Sequence, residues 1–210
     1  MQSGDARAVN LHEGDWQDET MNADAVFDIH PAILRFERTI RYLTDTEITG
    51  FFSEEGATIL ILHAVDTGSR YFSVIPKEME ERIRGSILTH NHPSGCSFTK
   101  RDLKEASFFS LKEIRVVGRT GLYSMMPGAG GWPVPQVIAD CFSAIEKDPD
   151  FQAEIVCLCP RPERFTDAGG QGSCIERIRS DRLCERVAAA LNLTYRRYIW
   201  KDANDSVLQA

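Results

Sequence analysis

The chain has 210 residues, 42% of them hydrophobic and 26% charged, with a formal net charge of −7. That length suits one sizeable core with tails or a small appendage, and the composition excludes wholesale disorder. The acidic charge argues against a protein that lives by gripping nucleic-acid phosphates, and no apolar run approaches the roughly 20 residues of a membrane-spanning helix, so neither nucleic acid nor a membrane is an expected partner.

Residues 1–24 lack periodicity and read as a flexible leader. Met1 to Met21 is acidic and polar, without a basic stretch followed by an apolar one, so the expected location is cytoplasmic, or export without a cleavable Sec signal. Pro31 sits where a helix likes to start, and Ile33, Leu34, Phe36, Ile40 and Leu43 recur every three to four residues, predicting an amphipathic helix that ends near Thr44 to Thr46. Ile48 to Phe52 and Thr58 to His63 read as strands joined by the turn Glu54-Glu55-Gly56, and Tyr71 to Ile75 as a third, after a loop at Asp66 to Ser69. Pro76 to Arg84 predicts a short, solvated, charged helix closed by Gly85. Ser86 to Thr89 is a compact buried strand running into His90, and Asn91 to Phe98 a loop. A helix opens at Thr99 and continues to about Leu111. Ile114 to Val117 and Leu122 to Met126 are further strands, and Pro127 to Pro133 is a loop. A helix follows from about Val134 to Lys147, and Pro149 to Gly172 is expected to be the least ordered stretch. The chain then reads as a helix, Ile175 to Leu191, and a strand, Thr194 to Trp200.

Alternating strands and helices indicate an α/β or α+β domain with a mixed β-sheet flanked by helices. The expected organisation is the flexible segment 1–24, a catalytic core over 25–133 and a C-terminal helix-strand extension over 134–210 packed on that core.

The segment that carries chemistry is His90-Asn-His92-Pro-Ser-Gly-Cys-Ser-Phe-Thr99-Lys-Arg-Asp102. Histidines at i and i+2 of an extended segment project to the same side, so two imidazoles can converge on one ion. Asp102, in the first turn of the next helix, can bring a carboxylate to the same space. Two nitrogens and a carboxylate leave a fourth tetrahedral position for water, the arrangement of a catalytic zinc site. Such a site also needs a proton carrier that is not a ligand. Glu47, Glu54 and Glu55 all lie near a strand; Glu47 precedes one that can run beside the His90 strand, whereas the other two belong to a turn.

This pattern resembles the signature of JAB/JAMM (MPN-plus) zinc metalloproteases. Glu47-Ile-Thr-Gly50-Phe-Phe matches the family's E-x-x-G strand, and His90-Asn-His-Pro-Ser-Gly is similar to bacterial JAB domains, the RadC type among them. Lys112 to Gly118, Leu122 to Met125 and Gly131-Trp-Pro133 resemble JAB domains of phage and bacterial toxin-like proteins. The likeness covers about residues 30–133. It implies a cytidine-deaminase-like α/β sandwich that hydrolyses amide or isopeptide bonds of a protein or peptide, ubiquitin or a ubiquitin-like modifier being a candidate substrate as in deubiquitinases. It assigns His90, His92 and Asp102 to zinc, Glu47 to proton transfer and the Thr99 hydroxyl to the tetrahedral oxyanion. Thr99 stands where most members carry Ser, and the His92-to-Asp102 loop is one residue shorter than the commonest eukaryotic form.

Simpler roles compete for several of these residues. Thr99 and Asp102 also read as an ordinary helix start. His12, His30 and His63 read as structural or solvated, Ser94 as a loop former, and Cys96 as a non-ligand because a thiolate would close the position water needs. Cys157, Cys159, Cys174 and Cys184 read as reduced thiols, with a second zinc site as the alternative. Trp132 either packs near the site or caps the core. The competing functions are a RadC-like nucleic-acid-associated role and a catalytically silent MPN scaffold.

Overall fold

A computed structural model describes residues 29–63, 65–66, 71–72, 75–158 and 174–200. The expectations for residues 1–24 and for 159–172 lie outside these residues. Six strands form one mixed sheet: β1 (Ile48–Phe52), β2 (Thr58–His63), β5 (Ile87–Asn91), β6 (Glu113–Val117), β7 (Gly121–Met126) and β8 (Thr194–Ile199), in the order β2-β1-β5-β6-β7-β8. A separate ribbon pairs β3 (Val65–Asp66) with β4 (Tyr71–Phe72). The helices are α1 (Pro31–Ile40), α2 (Glu80–Ile83, after a 3-10 turn at Lys77–Met79), α3 (Lys100–Phe108), α4 (Pro135–Glu146), α5 (Pro149–Leu158) and α6 (Cys174–Leu191). Within the six-stranded sheet β5 and β6 are the parallel neighbours, because the chain between them crosses over through α3. Among the described residues no helix is long and apolar enough to cross a membrane.

Strand alternation divides the sheet into two faces. The pairs Phe51↔Leu88, Leu88↔Ile114 and Ile114↔Met125 put one apolar row on one face. Leu103 and Ala106 of α3, Ile138 and Phe142 of α4 and Val187 of α6 close over that row in the main core. Burying one such side chain fully contributes about 1.5–3 kcal/mol, which is what holds the helices down. The other face lies under α1, whose Ile33 and Ile40 pack with Phe52, Ile87, Val117 and Leu122. Gly50 permits this contact: a Cβ there would meet the Phe36 ring at 2.8 Å and that of Phe52 at 2.6 Å.

Under α1 the sheet also buries charge. The Arg115 guanidinium donates to both oxygens of Glu37 (2.6 and 3.2 Å) and to Glu113 (2.7 Å). Thr89 and Ser124 add hydroxyl donors to these carboxylates at 3.0 and 2.5 Å. Glu37 is 0% exposed and Arg115 3%. Such a cluster holds only while it is complete, since removing one partner strands the others out of water.

Several elements differ from the sequence reading. Helix α1 stops at Ile40, closed by the Arg41 amide on the Glu37 carbonyl at 3.0 Å, because the next residues turn to meet β5. The strand expected at Tyr71 to Ile75 is short and sits in the small ribbon, with residues 73–74 outside the described set. His90 and Asn91, expected at a strand end and in a loop, are strand residues because Val116 and Val117 of β6 pair with them. The Pro149–Leu158 part of the stretch expected to lack order is a helix. Pro149 opens it, no Gly or Pro follows inside it, and Phe151 and Ile155 at i and i+4 are buried. Helix α6 and strand β8 belong to the same core and sheet as the rest. Replacing Arg115 with Ala leaves two carboxylates uncompensated, with an expected loss of about 3–5 kcal/mol in chemical denaturation; a loss below about 1 kcal/mol, the level of an exposed ion pair, contradicts this account.

Candidate metal centre

The site forms where β5 gives way to α3. His90 is paired on both sides, with Thr49 of β1 and Val116 of β6. The His92 amide extends the ladder by donating to the Val117 carbonyl at 3.0 Å, so both imidazoles leave one face of an extended chain. The loop turns through Gly95 at φ +69°, and the Ser94 hydroxyl accepts from the Cys96 amide at 3.3 Å. Thr99 then caps α3 in a reciprocal box. Its amide donates to Asp102 Oδ2 at 2.6 Å, and its hydroxyl accepts from the Asp102 amide at 3.3 Å. The helix start thus fixes the Asp102 carboxylate where the helix dipole favours negative charge.

His90 Nε2 and His92 Nε2 are 3.0 Å apart; Asp102 Oδ1 is 3.8 Å from the first and Oδ2 3.5 Å from the second. Ligands about 2.0–2.1 Å from a tetrahedral zinc stand about 3.3 Å from one another, and these separations, taken to one or the other carboxylate oxygen, fall on either side of that value. Protonation points the same way. His92 Nδ1 faces the carbonyls of Cys96 (3.0 Å) and Ser97 (3.1 Å), which places its proton there and leaves the Nε2 lone pair bare. Burial pushes His90 down to about 4, against the opposing pull of Asp102, so this imidazole is neutral at neutral pH. Two imidazole nitrogens at 3.0 Å require a proton or a cation between them. The donor set fits zinc.

These three residues form the one candidate metal group among the described residues. They line a cavity of about 390 Å³ together with Glu47, Thr99, Arg101 and Glu105 on its polar side and Phe51, Leu62, Ile75, Leu88 and Ile114 on its apolar side. Glu47 falls two residues before Thr49, level with His92 and on the same face. Burial raises its carboxyl from 4.5 to about 7; His92 opposes the shift and Asp102 adds to it. Glu105 is raised too, by burial against the pull of Arg101, with which it pairs at 2.8 Å.

The other candidates fall elsewhere. Glu54 and Glu55 sit in the exposed turn beyond β1, where Glu54 pairs with Lys112. His63 is exposed at the end of β2, and His30 caps α1 by accepting from the Ala32 amide. Cys96 is a free thiol raised by burial and stands outside the ligand group. Cys157 is exposed on α5, and Cys184 is buried, donating to the Phe98 carbonyl; Cys159 and the Cys174 side chain lie outside the described residues. The Trp132 indole donates to the Leu111 carbonyl at 2.6 Å and packs on the core.

Sequence reading passed over two supports. Asn91 ties the chain around Glu47 to β5 through its side chain. Ser97, whose carbonyl faces His92, shares a hydroxyl hydrogen bond of 2.8 Å with Tyr195, and Tyr195 donates to Asp181 at 2.6 Å. The loop after His92 is thereby buttressed by Tyr195 of β8, 98 residues from Ser97, and through it by α6, a link that no local pattern signals. Compared with protein-family models, curated proteins and solved structures, the chain matches none.

The weakened acidity of Glu47 has a consequence for stability. The folded protein keeps this proton up to about pH 7 while an unfolded chain releases it near 4.5, so the group removes stability as pH rises through that window. In metal-free protein, Glu47→Gln is expected to raise Tm above pH 7 and to change it little below pH 4.5, where both side chains are neutral. Thermal melts on either side of the window check this; an equal change on both sides rules out a desolvated carboxyl as its cause.

Proposed function

We propose that this chain is a zinc-dependent hydrolase of the JAB/JAMM type, cleaving amide or isopeptide bonds in a protein or peptide. The observation that carries the reading is the convergence of His90 Nε2, His92 Nε2 and the Asp102 carboxylate beside Glu47 in one cavity. A mixed sheet with helices on both faces accords with the cytidine-deaminase-like fold of that family. His90, His92 and Asp102 would hold the ion. The chemistry zinc supplies when bound is Lewis-acid activation of water and polarisation of a carbonyl.

The chain's own residues supply the rest. Glu47, poised near neutrality, accepts the proton of the attacking water and returns it to the leaving amine. Its two tasks need a group whose pKa lies near the working pH, which that of an exposed carboxylate does not. The Thr99 hydroxyl accepts from the Asp102 amide with its oxygen, leaving its own O–H free to donate to a developing oxyanion. The apolar side of the cavity excludes water from these groups and strengthens them.

The test is zinc content of protein purified without chelator, with cleavage of a panel of peptides and of linked ubiquitin and ubiquitin-like dimers. Wild type is expected to carry one zinc and to cleave a member of the panel. Glu47→Gln should still bind zinc while losing about 100-fold or more in kcat, the range of a general acid–base group. Full activity in Glu47→Gln removes the assigned proton carrier, and protein that binds no zinc removes the hydrolase reading in favour of a silent scaffold.

A further inference from the structure

Asn91 stands between the two histidines on the face of β5 turned away from the cavity, and it is 1% exposed. Its side-chain amide makes three hydrogen bonds to the segment that leads into β1. Oδ1 accepts from the Ile48 amide at 2.7 Å, and Nδ2 donates to the carbonyls of Thr46 at 2.8 Å and Leu43 at 3.1 Å. Two of these partners are the residues immediately before and after Glu47. Glu47 itself lies just outside β1, whose pairing with β5 begins at Thr49↔His90.

We propose that Asn91 is a positioning residue for Glu47, setting the proton carrier against the ligand group from the back of the same strand. This rests on Glu47 being the proton carrier of the proposed hydrolase. A primary amide suits the task because it offers one acceptor and two donors on a short stem. Asp lacks the donors, and Ala or Thr reaches none of the three partners. One side chain thereby couples the two halves of the site: the strand that carries His90 and His92 also fixes how far away the base stands. Since a misplacement of about 1 Å costs on the order of 100-fold in rate, a clamp on both neighbours of the base has a large lever.

The experiment combines three readouts on Asn91→Ala: zinc affinity by chelator competition, steady-state kinetics, and hydrogen exchange of the Ile48 amide. Asn91→Thr, which suits a strand, replaces it if the Ala variant does not fold. Expected are a fall of about 10–100-fold in kcat with KM near wild type, zinc affinity within about threefold, and faster exchange at Ile48. Unchanged Ile48 exchange overturns the proposal, and so does a loss of zinc affinity that matches the loss of kcat, because Asn91 then acts on the ligands and not on the base. A wild type that cleaves nothing tells against the hydrolase instead; the exchange and zinc-affinity arms still decide whether Asn91 fixes the Glu47 segment independently of the ligands.

Discussion

Successive side chains of a strand point to opposite faces, and the rest of this molecule's site depends on that alternation at the end of β5. His90 and His92 go into the cavity and Asn91 goes beneath it. Pairing on both sides, to Thr49 and to Val116, keeps the strand extended through His90. The Val117 carbonyl carries the extension to His92. A one-residue slip would send both imidazoles under α1 and a single amide into the cleft. Most of the geometry described here therefore follows from the ladder and not from any contact made by the histidines.

Burial and charge are balanced differently on the two faces of the same strand. On the back face, Arg115 compensates Glu37 and Glu113 with short hydrogen bonds, so charge is kept and the cluster is structural. In the cavity, burial works against the charged forms. His90 is held neutral, and Glu47 holds its proton to about neutral pH. Groups kept away from their preferred state in a water-poor cleft reduce stability and are suited to exchanging protons or accepting a cation. The cap of α3 holds the Asp102 carboxylate in place beside them.

The C-terminal elements participate in the site although, among the described residues, none of theirs lines the cavity. Tyr195 lies between the loop that orients His92 and Asp181 of α6, and it packs against Phe98 and Tyr123. A loop that carries a candidate ligand and contains Gly and Pro has little stiffness of its own; hydrogen bonds and rings from β8 supply it.

The sequence alone determined what is local. Periodicity located α1, α3, α4 and α6 and most strands within a few residues, and H-x-H-P followed by a helix cap named His90, His92, Thr99 and Asp102 as groups that share one end of one strand. These signals are readable because strand alternation and helix capping are fixed by residues within one turn of each other. Tertiary structure decided what depends on distant partners. The E-x-x-G likeness already set Glu47 apart from Glu54 and Glu55, but the register of β1 against β5 is what brings it level with His92; Asn91 becomes a clamp only when the end of α1 comes within reach, and Tyr195 meets Ser97 only once β8 has joined the sheet. The helix at Pro149–Leu158 likewise exists because Phe151 and Ile155 find a core to enter. Backbone carbonyls and long-range hydrogen bonds have no side-chain pattern in the sequence, so their partners emerge only when the chain is folded.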